Sequence, residues 1–230
     1  MRVVLLRHAE TDRNAADRFQ GQADIPLNDE GVRQAQRAAR SLPPGDWAAV
    51  YSSPMARAAQ TAAYAAGRLD VPHHRIDDLR ERHLGSFDGL PRAEFGRTRP
   101  ATMRQLVGDP DYAPPGGESG HDARARFCAA LHEVLAAERT AEQVLVVAHG
   151  GVLNLLARAL LAAGDEPPRG MVGTCRALRL DTEWTAQGRA RIALRRWNAD
   201  PRECAGTDRP STPVTFVDLD DLTAKEVTHT

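Results

Sequence analysis

Two apolar runs stand out along the chain, and each ends in a histidine. Val3-Val4-Leu5-Leu6 leads directly into Arg7-His8, and far downstream Val144-Leu145-Val146-Val147-Ala148 leads into His149-Gly150-Gly151. Continuous runs of this length suit strands buried on both faces of a parallel sheet. Open α/β sheets bind ligands beyond the carboxyl ends of their strands. Two such strands would therefore bring two imidazoles to one crevice.

Other segments supply the helices and further strands. Asn28 is placed to cap a helix whose first turn holds Asp29 and Glu30, and whose apolar positions Val32, Ala35, Ala38, Ala39 and Leu42 keep helical spacing up to the stop at Pro43-Pro44-Gly45. Ala48 to Tyr51 predicts a short strand, Pro54 the first turn of a following helix that carries Arg57 and ends near Leu69, and His74 to Ile76 a third strand. Helical periodicity returns after Ser119 through Phe127, Leu131, Val134 and Leu135, and again from about Val152 to Ala162. Ala177–Asp181 and Arg191–Trp197 read as a hairpin turned near Gln187-Gly188. After the first strand comes a polar loop, Thr11 to Asn28, carrying Asn14, Gln20 and Gly21.

Residues 79–120 break this regularity with glycines and prolines, and no helix longer than about three turns is expected there. A long irregular insertion in a compact domain usually serves as a lid or binding loop. The pattern thus predicts one α/β domain over residues 1–200, with 79–120 as a specificity insertion and 201–230 as a polar tail with one apolar cluster at Val214, Phe216 and Val217.

Composition removes several function classes. With 230 residues, 42% hydrophobic and 27% charged, the chain resembles an ordinary soluble protein, and a net charge of −1 gives no global field for nucleic acid or an anionic membrane. No apolar run approaches the ~18 residues of a membrane span. Three widely spaced cysteines, Cys128, Cys175 and Cys204, suggest reduced thiols, and Met1 leads directly into the first strand, so cytoplasmic residence is expected. All but one of the 30 basic residues are arginine, Lys225 being the exception; most are expected to face solvent. The histidines lack HxxxH or HExxH spacing, so neither a metal nor another cofactor is expected.

The chemistry follows from what the two strand ends collect. Arg7 precedes His8, and Arg57 opens the helix after the second strand. Two arginines and two histidines make a dianion site, because guanidinium forks bind phosphate oxygens through charge-assisted hydrogen bonds. Amides of Gly150 and Gly151 at a helix N-terminus are expected to point into the same place. A histidine can take a phosphoryl group and divide hydrolysis into two easier steps. Glu81, in Leu79-Arg80-Glu81-Arg82-His83-Leu84-Gly85, is the candidate proton donor for the leaving alkoxide. Leu84, Phe87, Leu90, Phe95, Met103 and Leu106 form either a substrate wall or a small satellite core. Arg97, Arg99 and Arg104 either recognise a second anion or face water.

Taken in order, Leu6-Arg7-His8-Ala9-Glu10-Thr11 with Asn14, Phe19-Gln20-Gly21, Leu27-Asn28, Ser52-Ser53-Pro54 with Arg57, Glu81-Arg82-His83, Gly116-Gly117-Glu118-Ser119 and Val147-Ala148-His149-Gly150-Gly151 resemble the histidine phosphatase superfamily, the phosphoglycerate mutase-like group. The resemblance spans roughly residues 3 to 199. It implies a three-layer α/β/α sandwich with a mostly parallel central sheet and no metal. It implies His8 as nucleophile, Glu81 as proton donor, Arg7, Arg57 and His149 as the phosphate pocket, and Asn14, Gln20, Gly21 and Gly150 as further contacts. Leu84 after the Glu-Arg-His triplet and the short insertion favour the phosphatase branch, acting on a small phosphate ester such as a sugar phosphate or phosphoglycerate ester. The alternatives are a cofactor-dependent phosphoglycerate mutase and a noncatalytic phosphate-binding module. Relatives of this kind often pair, so a homodimer is a further expectation. Ala9, Asp88 and Arg176 depart from the family pattern and bear on substrate choice.

Overall fold

The computed structural model describes residues 1–161, 170–205 and 215–223. Within them a single sheet carries the strands β1 (Arg2–Arg7), β2 (Trp47–Ser52), β3 (His73–Arg75), β4 (Gln143–Ala148), β5 (Ala177–Trp184), β6 (Ala190–Ala199) and β7 (Val217–Asp218) in the order β3-β2-β4-β1-β5-β6-β7. The block β3-β2-β4-β1 is parallel throughout; β5, β6 and β7 add antiparallel pairs at the other edge.

Alternation along β1 builds the layers. Val3 and Leu5 face one core with Val144 and Val146; Val4 and Leu6 face the other with Leu145 and Val147. All of these are buried, as expected of strands covered on both sides. The first core is closed by α6 (Gly120–Ala137) and α7 (Gly150–Leu161) through Phe127, Leu131, Val152 and Leu156. The second is closed by α3 (Ala56–Leu69) through Ala58, Ala62 and Ala65, with α2 (Asp29–Ser41) packed on α3 and α8 (Pro201–Ala205) beside them. Small residues along α3 let it lie close to the sheet.

The connections out of β1 and β4 diverge. The chain leaves β1 toward the α2/α3 layer and leaves β4 into α7 on the opposite face. Neighbouring parallel strands whose connections part in this way open a crevice at their carboxyl ends. The two strands are paired with Arg7 opposite Ala148, and the His8 amide donates to the Ala148 carbonyl at 2.9 Å, so His8 and His149 emerge side by side.

Several boundaries differ from the sequence reading. Pro54 lies ahead of α3, which starts at Ala56 after Met55 without a side-chain cap. The polar loop after β1 contains a one-turn helix, α1 (Asp12–Ala15), held by a reciprocal Thr11–Asn14 capping box. The insertion holds α4 (Arg92–Thr98) and α5 (Pro100–Gly108), both short. The hairpin turns at Gly188, whose φ of 78° suits glycine. Phe216 and Val217 belong to the described residues, where Val217 pairs with β6; Val214 and Ala162 lie outside them.

Candidate active site

A cavity of about 740 Å³ opens at the carboxyl ends of β1 and β4. Arg7, His8, Asn14, Gln20, Gly21, Arg57, Glu81, Gly150 and Gly151 all line it, although they come from five separate stretches of chain. His149 closes its inner end: its ring centroid lies 5.2 Å from that of His8, and both rings are buried.

The geometry fixes the tautomer of His8. Its Nδ1 lies 2.6 Å from the Ala9 carbonyl oxygen, which can only accept, so Nδ1 carries the proton. In the neutral ring Nε2 then keeps its lone pair, and Arg57 Nε donates to it at 3.2 Å. Burial, followed by the neighbouring Arg57 and Arg7 charges, holds the His8 pKa well below the ordinary histidine value. His149 is pushed the same way by burial, Arg57, His8 and Arg7. Both imidazoles are therefore neutral near pH 7. Neither ring nitrogen of His149 has a protein partner among the described residues. Buried polar atoms are almost always satisfied, so this imidazole and the similarly unpartnered Nε of Arg7 suit an anionic ligand.

Arg57 is fully buried. Its Nη1 donates to the Ala23 carbonyl at 2.7 Å and its Nη2 to the Gly21 carbonyl at 2.8 Å, which aims Nε at His8. Burial lowers its pKa to about 10, still high enough to keep the charge at neutral pH. Gly21 acts through this carbonyl. Its φ is +46°, and an added Cβ would lie 2.0 Å from Asp88 Oδ1, so a side chain is excluded twice over. Arg7 reaches the Val172 carbonyl with Nη1 and crosses the start of α7, where a Cβ at Gly150 would lie 3.1 Å from its Nε.

The helix N-terminus corrects the sequence reading. The Gly151 and Val152 amides do not point free into the cavity; they donate to Glu81 Oε2 at 2.8 Å and Oε1 at 3.0 Å. The Arg82 amide adds a third bond to Oε1 at 2.9 Å. A carboxylate favours the positive end of a helix dipole, so Glu81 occupies the anion position that the sequence reading gave to phosphate. Asn14 is likewise engaged, its Oδ1 accepting from the Thr11 amide at 3.1 Å, while the single Thr11 hydroxyl proton has its shorter contact, 2.9 Å, with Gln20 Oε1. The amide nitrogens of Asn14 and Gln20 are thereby left as the groups each can offer a ligand.

Several supporting residues escaped the sequence reading. Arg126 donates to the carbonyls of Asp78, Arg80 and Glu81 and pairs with Glu118 Oε1 at 2.7 Å; Glu118 Oε1 also accepts from the His83 amide. Gln22 Nε2 adds a bond to the Glu81 carbonyl at 2.9 Å. Arg82 spreads its guanidinium over the carbonyls of Glu118, Leu106 and Tyr112, tying the insertion together. The Gly-Gly-Glu-Ser run was the available signal for Glu118; nothing in its own segment marks Arg126. Leu84, Met103 and Leu106 line the cavity, whereas Phe87 and Phe95 pack with Phe19 in a satellite core. Exposed Arg97, Arg99 and Arg104 are not among the lining residues, and neither is Arg176. Among the described residues no cluster of three or more metal-ligating side chains occurs, and no helix is long and apolar enough to cross a membrane.

The profile of the histidine phosphatase superfamily (branch 1) matches residues 3–199. A glucosyl-3-phosphoglycerate phosphatase from Mycolicibacterium vanbaalenii is 34% identical over 208 residues, covering 86% of this chain and 92% of its own. A metal-independent phosphoserine phosphatase from Arabidopsis thaliana is 38% identical over 158 residues, 67% of this chain and 66% of its own. A mycobacterial glucosyl-3-phosphoglycerate phosphatase solved in complex with VO3 superposes with a TM-score of 0.76 at 34% identity, covering 86% of this chain and 99% of that one.

Proposed function

The chain belongs to the histidine phosphatase superfamily, and from that premise we propose that it is a metal-independent phosphomonoesterase that hydrolyses a small phosphorylated metabolite through a phosphohistidine on His8. Relatives named for glucosyl-3-phosphoglycerate and phosphoserine support a small organic phosphate ester as substrate. The observation that carries the reading is the fixed tautomer of His8. Its Nδ1 proton is committed to the Ala9 carbonyl, and its Nε2 lone pair faces the Arg57 guanidinium in the cavity.

The phosphoryl group lies between Arg7, Arg57 and His149, where guanidinium N–H groups accept the charge of its oxygens. Arg57 Nε exchanges His8 Nε2 for a phosphate oxygen. His8 Nε2 attacks phosphorus, the bond from phosphorus to the ester oxygen breaks, and Glu81 gives that oxygen a proton. In the second step Glu81 takes a proton from water, the hydroxide attacks phosphorus, and the N–P bond breaks to restore neutral His8. To serve as the acid Glu81 must release at least one of its backbone amides, take up a proton and turn toward the ester oxygen; the proton it then takes from water in the second step restores the acid for the next turnover. Asn14 and Gln20 add amide donors at the phosphate, while Gly21 and Gly150 allow the close approach of Arg57 and Arg7.

Residues 1–200 form the catalytic domain in this reading, with 79–120 as its specificity insertion; of 201–230, read in sequence as a tail, the described α8 and β7 join that domain's core and sheet. Cytoplasmic residence is supported by three free cysteines. Homodimerisation rests on the family resemblance alone. The decisive test uses p-nitrophenyl phosphate in excess EDTA. Phosphate release should persist in the wild-type protein and fall by ~10³-fold or more in His8→Ala. Rapid quenching should trap an acid-labile, base-stable phosphoenzyme that the variant does not form; full activity without His8 removes it as nucleophile.

A further inference from the structure

Glu81 hangs from a stretch of chain that lies in no helix or strand. Residues 80–84 run between two short 3₁₀ turns, Asp77–Leu79 and Gly85–Phe87. Backbone carbonyls in such a stretch must find partners outside any ladder. One guanidinium supplies them. Arg126 Nη1 donates to the Asp78 carbonyl at 2.6 Å and the Arg80 carbonyl at 3.0 Å, and Nη2 reaches the Glu81 carbonyl at 3.3 Å. Nη2 also donates to Glu118 Oε1 at 2.7 Å, and the same oxygen accepts from the His83 amide at 2.8 Å. The Glu118 amide returns a bond to the His83 carbonyl at 3.0 Å. The chain is thereby gripped on both sides of Glu81.

The grip is anchored in the core. Arg126 belongs to α6, where the next residue, Phe127, and Leu131 one turn on are fully buried. Glu118 precedes Ser119, whose side chain caps the same helix. Arg126 and Glu118 are 18% and 21% exposed, so the pair is largely withdrawn from solvent, and neither residue lines the cavity. The Glu81 carboxylate is held differently, by the Gly151, Val152 and Arg82 amides that it can exchange for other partners. Once it leaves the start of α7, its reach is set by its own rotamers and by the backbone that carries it. A reacting group displaced by about 1 Å can cost ~10²-fold in rate.

We propose that Arg126, acting with Glu118, is the positioning residue for proton transfer: it pins the peptides around Glu81 so that the released carboxyl meets the ester oxygen. This rests on the phosphatase reading of the same cavity. The role has a chemical signature. In every ester the bond from His8 Nε2 to phosphorus forms as the bond from phosphorus to the ester oxygen breaks. A basic leaving oxygen needs the Glu81 proton as it departs, whereas p-nitrophenolate is a stable anion that departs without one. Loss of positioning therefore slows esters of basic alcohols selectively, while general loosening of the fold slows all esters alike. Arg126 is also one of the charges that hold the His149 pKa down, so a variant that keeps its charge is needed beside one that does not.

Phenyl phosphate and p-nitrophenyl phosphate are matched in shape and differ in the basicity of the leaving oxygen. Their kcat/KM values report each ester up to departure of its phenol, so hydrolysis of the common phosphoenzyme drops out of the comparison. Arg126→Gln should lower kcat/KM for phenyl phosphate by roughly 10- to 100-fold, part of the ~10²–10⁴ that general acid catalysis supplies, and for p-nitrophenyl phosphate by about threefold or less. Arg126→Lys, which keeps the charge and loses the fork, should recover part of the loss. Glu118→Gln, which keeps an acceptor for the His83 amide but removes the charge pair, should show the same split at smaller size. In a Glu81→Gln background Arg126→Gln should add no further split, because both act on one step. Thermal melting reports whether each variant folds, and Glu118→Gln carries the comparison if Arg126→Gln does not. Equal losses on the two esters, or a further split in the Glu81→Gln background, overturn the proposal and leave the phosphatase reading intact. Hydrolysis of neither ester by the wild-type protein overturns that reading and the proposal with it.

Discussion

At the floor of the cavity His8, Arg57 and His149 are sealed from solvent, each at 2% exposure or less, whereas at its mouth Arg92 and its neighbours remain partly open. The floor is made by two central strands in register and by one helix, so its residues inherit their positions from the sheet. The mouth is made by the 79–120 insertion laced onto the loop after β1. Burial at the floor strips water from the imidazoles and holds them neutral, as a nucleophile requires; exposure at the mouth leaves a guanidinium able to exchange water for a ligand. In the proposed reading, chemistry belongs to the floor and selection to the mouth of one cavity, and a change to either end should be readable on its own.

The largest effect is expected at the floor. Arg57→Ala removes the donor that faces His8 and strands the Gly21 and Ala23 carbonyls that its guanidinium satisfied. Phosphate release should fall by ~10³-fold, mostly in kcat, because the lost interaction matters most as charge develops at phosphorus. Stability should fall by about 2–4 kcal/mol, measured by urea unfolding, because buried acceptors lose their partner. A variant with normal kcat would make the floor a binding site only.

A smaller effect should follow Gly151→Ala, which sits between the two ends. The new Cβ would lie 2.5 Å from Glu81 Oε1, so the carboxylate must move off the start of α7. We expect kcat to drop by roughly 10- to 100-fold, in line with general acid–base catalysis. KM for glycerol 3-phosphate should change little, and the melting temperature should stay near that of the wild type. An unchanged kcat would mean that the resting place of Glu81 has no bearing on turnover.

The smallest effect concerns pH. His8 and His149 have folded-state pKa values below the unfolded value near 6.5. Below pH 6.5 the unfolded chain binds protons at these two sites that the folded protein does not. Stability is therefore fullest above pH 6.5 and declines as pH falls toward the lowered folded-state values, with a limiting slope of about 1.4 kcal/mol per pH unit for each histidine. Urea midpoints at pH 7.5 and 5.5 should show the loss, and His149→Asn should flatten the slope. An equal slope in that variant would assign the effect elsewhere.

The floor was legible in sequence for a reason that the mouth lacks. An apolar run ending in Arg7-His8 states both that a strand is buried and where it stops, and the run ending at His149 states the same. Helix α2 was equally legible, since Asn28 accepts from the Gly31 amide as its cap. The fate of the α7 amides was not, because their partner Glu81 lies about 70 residues away in sequence, and nothing local signals that a carboxylate arrives there. Arg126 was missed alike: it gains its meaning from carbonyls supplied by another segment. Conversely Arg97, Arg99 and Arg104 read in sequence as candidates for a second anion or as solvent-facing, and only the path of α4 and α5 leaves them exposed and off the cavity lining.

By itself the amino-acid order determined the buried strands, the helical faces and the residue types that gather at the strand ends, because hydrophobic periodicity and turn chemistry act over short stretches. Tertiary structure alone decided which nitrogen of His8 holds the proton, that Glu81 caps α7, and which of the arginines line the cavity. Those outcomes depend on distances between segments far apart in the chain, and hydrogen bonds a few ångströms long are specified by packing rather than by neighbours in sequence.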